Sequence, residues 1–185
     1  MDRLQVFITS TRQGRAGDPI ATWFLEAARA HGKFEIEAVD LQAVNLPLLD
    51  EPNHPRLRQY TQDHTKAWSA IVSRADAFVF VTPEYNFGPP PALVNALDYL
   101  FHEWAYKPAG FVSYGGVSAG TRSVQVTKQI VTTLKIVPIP EAVSIPFFFK
   151  LLANGVFDGS AQVQAAHAML DELVRWTAAL KTLRG

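Results

Sequence analysis

The sequence contains no cysteine among its 185 residues. Disulfides, thiol redox chemistry and cysteine-ligated metal or iron–sulfur centres are therefore excluded, so any redox activity requires a bound cofactor. The five histidines are scattered, and no two of them have the i, i+4 spacing of a helical metal site. The sequence accordingly predicts no metal site.

The chain also lacks an excess of either charge. Seventeen Lys and Arg residues balance seventeen Asp and Glu residues, which gives a formal net charge of zero at pH 7. Without a long-range field, the protein is not expected to attract nucleic acid or an anionic membrane surface. No apolar segment approaches the ~20 residues that a membrane-spanning helix needs. We therefore predict a cytoplasmic protein that acts on a small molecule and has no nucleic-acid or membrane partner.

Strand-like and helix-like segments alternate along the whole chain. Apolar runs predict five strands, the last of them broken, at 4–8, 34–39, 78–81, 110–114 and 136–137 with 143–145. Five strand–helix units predict an α/β fold with a doubly wound parallel sheet and right-handed crossovers. Because 48% of the residues are hydrophobic and no linker-like segment interrupts them, we expect residues 1–185 to form a single domain.

The helices are predicted from apolar spacing and from their first residues. Asp18 and Pro19 supply an N-cap and a first-turn proline for the first helix, and a helical repeat extends over 57–71. Later helices are predicted at 121–134 and 161–183. Between them an apolar stripe faces either the core or a second copy of the chain and consists of Leu93, Leu97, Leu100, Phe101 and Trp104. We expect the aromatic run at 147–149 to cover a ligand or a partner subunit, or else to fill the edge of the core.

The first candidate binding loop, 9–17, joins the first strand to a helix. Ser10, Arg12 and Arg15 bring a hydroxyl and two guanidinium groups to the positive end of a helix dipole, where a phosphate monoester binds well. The loop has neither the GxGxxG pattern of a dinucleotide site nor the Gly-Lys-Ser/Thr of a P-loop, so a mononucleotide phosphate is favoured. The alternative is an ordinary polar connection.

The second candidate loop begins with Pro83, Glu84, Tyr85 and Asn86 and continues to residue 88. Glu84, Tyr85 and Asn86 offer backbone donors to a heteroaromatic ring, and the Tyr85 side chain can pack against that ring. A simple turn before a helix would use Pro and Asn as well, but it would not need an aromatic residue between Glu and Asn.

The third candidate loop, 113–120, contains Ser113, Tyr114, Gly115 and Gly116. Paired glycines let the backbone approach the edge of a planar ligand, and their N–H groups can stabilise negative charge that arises there on reduction. The alternative is a flexible loop with a helix start at Ser118. All three loops follow strands that end at one edge of the predicted sheet, where they would supply a phosphate cradle, a ring platform and a ring edge.

With these residues the chain resembles the NADPH-dependent FMN reductase family, which comprises flavodoxin-like quinone, azo-dye and chromate reductases. The specific match is Pro-Glu-Tyr-Asn at 83–86, supported by Ser10, Arg12 and Arg15 and by Leu-Pro-Leu at 46–48. The resemblance implies a three-layer fold with strand order 2-1-3-4-5 and helices on both faces. It also implies FMN as the cofactor, NADPH or NADH as the co-substrate, and a homodimer or a dimer of dimers.

The predicted activity is two-electron reduction of a quinone or a similar small-molecule acceptor by a ping-pong mechanism. The cofactor performs the chemistry, so no catalytic side chain is assigned and all candidate residues are binding positions. One alternative is a flavodoxin-type electron carrier, although such carriers usually have an acidic face and this chain has balanced charge. Another is a redox-sensing regulatory module that binds flavin.

Overall fold

The structure, a computed structural model, describes residues 1–184 and is built around a parallel sheet of five strands. These are β1 (Asp2–Ile8), β2 (Phe34–Asp40), β3 (Ala77–Pro83), β4 (Pro108–Tyr114) and β5 (Val137–Ile145). They are arranged in the order β2-β1-β3-β4-β5, and every neighbouring pair is parallel. The predicted α/β class and strand order are confirmed.

The fifth strand is continuous, whereas the sequence predicts a broken one. Its pairing with β4 changes register between Ala109 and Phe111, which accounts for the interrupted apolar pattern. A separate two-stranded ribbon follows it, formed by β6 (Leu152–Ala153) and β7 (Val156–Phe157).

Helices cover both faces of the sheet. They are α1 (Gly17–His31), α2 (Leu41–Val44), α3 (Asp63–Ser73), α4 (Pro91–Asp98), α5 (Thr121–Thr133) and α6 (Val163–Leu180). One core lies between the sheet and α1 with α6, and a second lies between the sheet and α3, α4 and α5. Val79 and Val81 of β3 belong to the first core, while Phe78 and Phe80 belong to the second, as strand alternation requires. The three-layer prediction is confirmed.

The predicted N-cap of the first helix is wrong. The N-cap is Ala16, which makes no side-chain capping hydrogen bond, and Asp18 lies inside the first turn. The Asp18 carboxylate instead contacts Nε of Arg15 at 2.7 Å. The Asp18 carboxylate is used in this ion pair, and the Ala16 side chain has no acceptor atom. The first N–H groups of α1 therefore have no side-chain cap.

The helical pattern predicted over 57–71 is only partly a helix. α3 begins at Asp63, and Leu57 belongs to a separate 3-10 turn. Arg58 has a left-handed backbone (φ 53°), and the Glu51 carboxylate accepts the N–H groups of Thr61 and Gln62 at 2.9 Å. These contacts hold an irregular segment where apolar spacing alone would extend the helix.

The apolar stripe around α4 packs inside this chain. The helix ends at Asp98, but the chain beyond it keeps Leu100 and Trp104 as deeply buried as Leu93 and Leu97. Trp104 also donates its indole N–H to the carbonyl of Leu97 at 3.2 Å. Of the two orientations left open by the sequence, Leu93, Leu97, Leu100 and Trp104 take the core-facing one and give no support to a dimer, while Phe101 is only partly buried.

The remaining helices agree with the sequence predictions to within a few residues. α5 ends at Thr133, and short 3-10 turns flank α6 at Ser160–Gln162 and Lys181–Leu183. Across residues 1–184, no helix combines the length and the apolar character that crossing a bilayer requires.

Candidate functional site

The ends of β1, β3 and β4 open onto a cavity of about 380 Å³, called the site cavity below. Its volume lies within the range of about 300–1,000 Å³ that is typical of small-molecule sites. Nine of the predicted site residues line it, namely Ser10, Arg12, Arg15, Pro83, Glu84, Tyr85, Tyr114, Gly115 and Gly116. Gly14 and Ala16 of the first loop line it as well, and so does Phe148, which belongs to the aromatic run that the sequence offered as a ligand cover.

Two predicted site residues are not among those that line the site cavity. Ser113 is buried in β4 with its side chain beside Gly120, and its hydroxyl has no hydrogen-bond partner among residues 1–184. Because side chains alternate along a strand, Ser113 faces away from the side on which Tyr114 reaches the cavity. Asn86 lies in the tight turn of the second loop, beyond the cavity wall.

The two arginines of the first loop have different surroundings. Arg15 is almost fully buried and pairs with both carboxylate oxygens of Asp40 at 2.6 and 2.7 Å, while it also donates to the Ser10 carbonyl at 2.6 Å. The hydrogen bond between them raises the pKa of Arg15 and lowers the pKa of Asp40. With Asp18 on its Nε, the Arg15 guanidinium is neutralised and holds the loop in shape.

Arg12, in contrast, is exposed. It makes no hydrogen bond or ion pair with any residue in the part of the chain that the structure describes. The start of α1 lies beside it, and the uncapped Ala16 lines the same cavity. A cation without a carboxylate partner, next to N–H groups at a helix start, is an arrangement that fits a phosphate group.

The second loop is a two-residue turn. The N–H groups of Tyr85 and Gly88 each donate to the other's carbonyl at 2.9 Å, and Asn86 and Phe87 between them have positive φ. The prediction of Tyr85 as a backbone donor to a ligand is therefore wrong, since its N–H is used inside the turn. Its hydroxyl lies 2.5 Å from the Ser10 hydroxyl and connects the second loop to the first.

Glu84 connects the second loop to the third. Its carboxylate accepts hydrogen bonds from the Ser118 hydroxyl at 3.0 Å and from Nε of Arg122 at 2.6 Å. Burial acts to raise the pKa of Glu84, but these hydrogen bonds outweigh it and leave the pKa below its usual value. Arg122 carries no motif signal in the sequence and is not among the predicted site residues.

The two glycines of the third loop have different environments. A Cβ on Gly115 would lie 2.8 Å from the backbone nitrogen of Gly120, whereas a Cβ on Gly116 would meet nothing within 4 Å. Gly115 is therefore required for packing, and Gly116 borders open space in the site cavity. The helix after this loop begins at Thr121, as predicted, directly after the left-handed Gly120 (φ 78°), and the alternative helix start at Ser118 is not found.

Aromatic side chains complete the wall. Tyr114 is buried, which raises the pKa of its hydroxyl, and its ring makes an edge contact with Phe148 at 5.3 Å between centroids. Phe148 also lines the site cavity, whereas its neighbours Phe147 and Phe149 are exposed. Within residues 1–184, no group of three or more His, Asp or Glu side chains could hold a metal ion.

Comparison with known proteins identifies the family. Residues 3–150 match the profile of the family described as NADPH-dependent FMN reductase. The chain belongs to this family. An NAD(P)H-dependent FMN reductase of Schizosaccharomyces pombe is 43% identical to it over 162 residues, which cover 86% of this chain and 80% of that protein.

One further sequence relative and one solved structure resemble this family member over different lengths. An NADPH:quinone oxidoreductase of Arabidopsis thaliana is 40% identical over 68 residues, or 35% of each chain. The structure of FerB, a flavoenzyme NAD(P)H:(acceptor) oxidoreductase from Paracoccus denitrificans, has a TM-score of 0.76 and covers 97% of this chain and 98% of its own. At 19% identity, that likeness concerns the fold alone.

Membership in the FMN reductase family confirms the resemblance noted in the sequence. It also confirms an oxidoreductase enzyme, with FMN as cofactor and NAD(P)H as co-substrate. The residues present fit that cofactor, because Arg12 and the start of α1 suit a phosphate and the space beside Gly116 admits a planar ring.

Proposed function

We propose that this FMN reductase family member binds FMN in the site cavity and uses it to pass two electrons from NAD(P)H to a quinone or a similar small acceptor. The observation that carries the proposal is the unpaired guanidinium of Arg12 beside the uncapped start of α1, in the same cavity as the open space at Gly116. Residues 1–185 would act as a single FMN-binding domain.

Each loop has a separate binding role in this proposal. Arg12, with the Ser10 hydroxyl and the N–H groups at the start of α1, holds the phosphate, and Arg15 fixes the shape of that loop. The second loop, 83–86, flanks the ring through Pro83 and the Tyr85 side chain. The third loop approaches the ring edge at Gly116, where backbone N–H groups stabilise added negative charge.

FMN, when bound, supplies the two-electron chemistry by accepting a hydride from NAD(P)H and reducing the acceptor. The chain itself binds FMN, orients NAD(P)H and the acceptor against it in turn, and limits the access of water. No side chain is required to transfer a proton, so no catalytic residue is assigned. Tyr85, Tyr114 and Phe148 give the site cavity flat aromatic surfaces that suit a planar acceptor such as a quinone.

The protein is further proposed to work as a homodimer or a dimer of dimers. Support comes from large apolar side chains that are exposed in or near the second and third loops, including Phe87, Val117 and Phe149. Cytoplasmic location, and the lack of nucleic-acid and membrane partners, stay predictions from composition.

Steady-state kinetics should be ping-pong, because the site cavity offers one place where NAD(P)H and the acceptor must take turns. Plots of reciprocal rate against reciprocal NADPH concentration at several quinone concentrations are expected to be parallel. Intersecting lines would contradict the proposal, since they require both substrates to be bound together. Negligible NADPH oxidation by the FMN-loaded protein would favour an electron carrier instead.

A further inference from the structure

We propose that the ion pair between Glu84 and Arg122 is a positioning device that joins the second and third loops and cancels the Glu84 charge beside the bound cofactor, so that this carboxylate does not lower the cofactor's reduction potential. The inference goes beyond the proposed function but rests on it, because it requires FMN in the site cavity.

The pair is built into the fold by several contacts at once. The Glu84 carboxylate receives Nε of Arg122 at 2.6 Å, the backbone N–H of Arg122 at 3.2 Å and the Ser118 hydroxyl at 3.0 Å, and a guanidinium nitrogen also contacts it. Arg122 in turn donates to the Ser118 hydroxyl at 3.1 Å. Because Gly120 provides no side-chain cap, Glu84 serves as the acceptor for the first turn of α5 from 38 residues away.

The two side chains differ in exposure. The Glu84 side chain is 7% exposed and its residue lines the site cavity, while the Arg122 side chain is 46% exposed. The Arg122 guanidinium lies over the ring of Phe87, 3.8 Å from its centroid, so the turn of the second loop holds it in place. Arg122 thereby spans both loops, whereas Glu84 places a carboxylate beside the cavity.

The charges of the pair cancel where the ring edge is proposed to lie. Reduction adds negative charge to the cofactor, so an unpaired carboxylate nearby would oppose reduction and an unpaired guanidinium would favour it. The other ionised side chains of the cavity wall are Arg12 and the neutralised Arg15, which the pair does not contact. Loss of Glu84 should therefore raise the reduction potential, and loss of Arg122 should lower it.

The test uses Glu84→Gln, Arg122→Gln and the double variant, each loaded with FMN. Midpoint potentials are measured by anaerobic titration against a reference dye at about pH 8, where an unpaired Glu84 stays ionised. Glu84→Gln should raise the equilibrium constant for two-electron reduction by about tenfold and Arg122→Gln should lower it by about tenfold, or about 30 mV each. The double variant should return close to the original value.

Two further variants separate charge from packing. Arg122→Lys keeps the charge and should keep the potential, although it loses the hydrogen bond from Nε and should bind FMN more weakly. The matched control is Glu172→Gln with Arg175→Gln, an exposed ion pair on α6 away from the cavity, which should shift nothing.

Shifts of the same sign in both single variants, or none in either, would overturn the inference while FMN binding by the unmodified protein leaves the proposed function standing. If a variant holds too little FMN for titration, the ratio of its affinities for oxidised and reduced FMN gives the same quantity. An unmodified protein that binds no FMN would overturn both.

Discussion

Replacement of Arg12 by alanine is expected to weaken FMN binding by about 2 kcal/mol or more, or roughly thirtyfold, which is the scale of a lost charge-assisted hydrogen bond. Arg12 is exposed and makes no hydrogen bond or ion pair with the described part of the chain, so the thermal unfolding of the apoprotein should hardly change. Fluorescence quenching gives the dissociation constant, and a thermal melt of the apoprotein gives the stability.

Riboflavin and a second arginine supply the controls for this experiment. Riboflavin lacks the phosphate, so it should bind much more weakly than FMN, and its affinity should be nearly the same with or without Arg12. Arg29→Ala, at the exposed far end of α1, should leave both affinities unchanged. Equal losses for FMN and riboflavin, or a collapse of the Arg12→Ala apoprotein, would show that Arg12 does not hold the phosphate.

Valine substitutions at the two adjacent glycines should have opposite consequences. Gly116→Val places its side chain in open space, so the apoprotein should fold normally but lose FMN affinity by roughly 1–3 kcal/mol, the cost of overfilling a packed site. Gly115→Val pushes a Cβ to within 2.8 Å of the Gly120 backbone, so it should destabilise the apoprotein itself.

Paired measurements of apoprotein melting and FMN affinity separate these outcomes. Gly116→Ala, whose single methyl group meets no atom of the chain within 4 Å, tests whether the effect grows with side-chain size. Full FMN affinity and activity in Gly116→Val would place the ring away from the third loop.

The sequence predicts the sheet well because its strands are nearly continuous apolar runs. β3 and β4 are buried along their whole length, so no amphipathic pattern is needed to find them. β5 is harder, since its pattern is interrupted where the pairing with β4 shifts register. The helix start at Asp18 is misplaced for another reason, because its carboxylate is used by Arg15 from outside the helix.

The roles of the site residues depend on contacts between distant parts of the chain. Arg12 and Arg15 are equivalent in the sequence, but Asp40 at the end of β2, together with Asp18, neutralises Arg15 alone. Likewise, Glu84 belongs to a recognisable motif in the second loop, but its partner Arg122 lies in α5 and follows no motif. Local patterns therefore locate the loops, while the fold decides which side chains stay available for a ligand.

The central claim, that the site cavity holds FMN which NADPH reduces, is tested most directly by an anaerobic titration of the purified protein. We expect a yellow protein whose oxidised-flavin absorbance disappears on addition of one equivalent of NADPH and returns on addition of a quinone. A protein that stays colourless when supplied with FMN, or bound FMN whose spectrum does not respond to NADPH, would contradict the account.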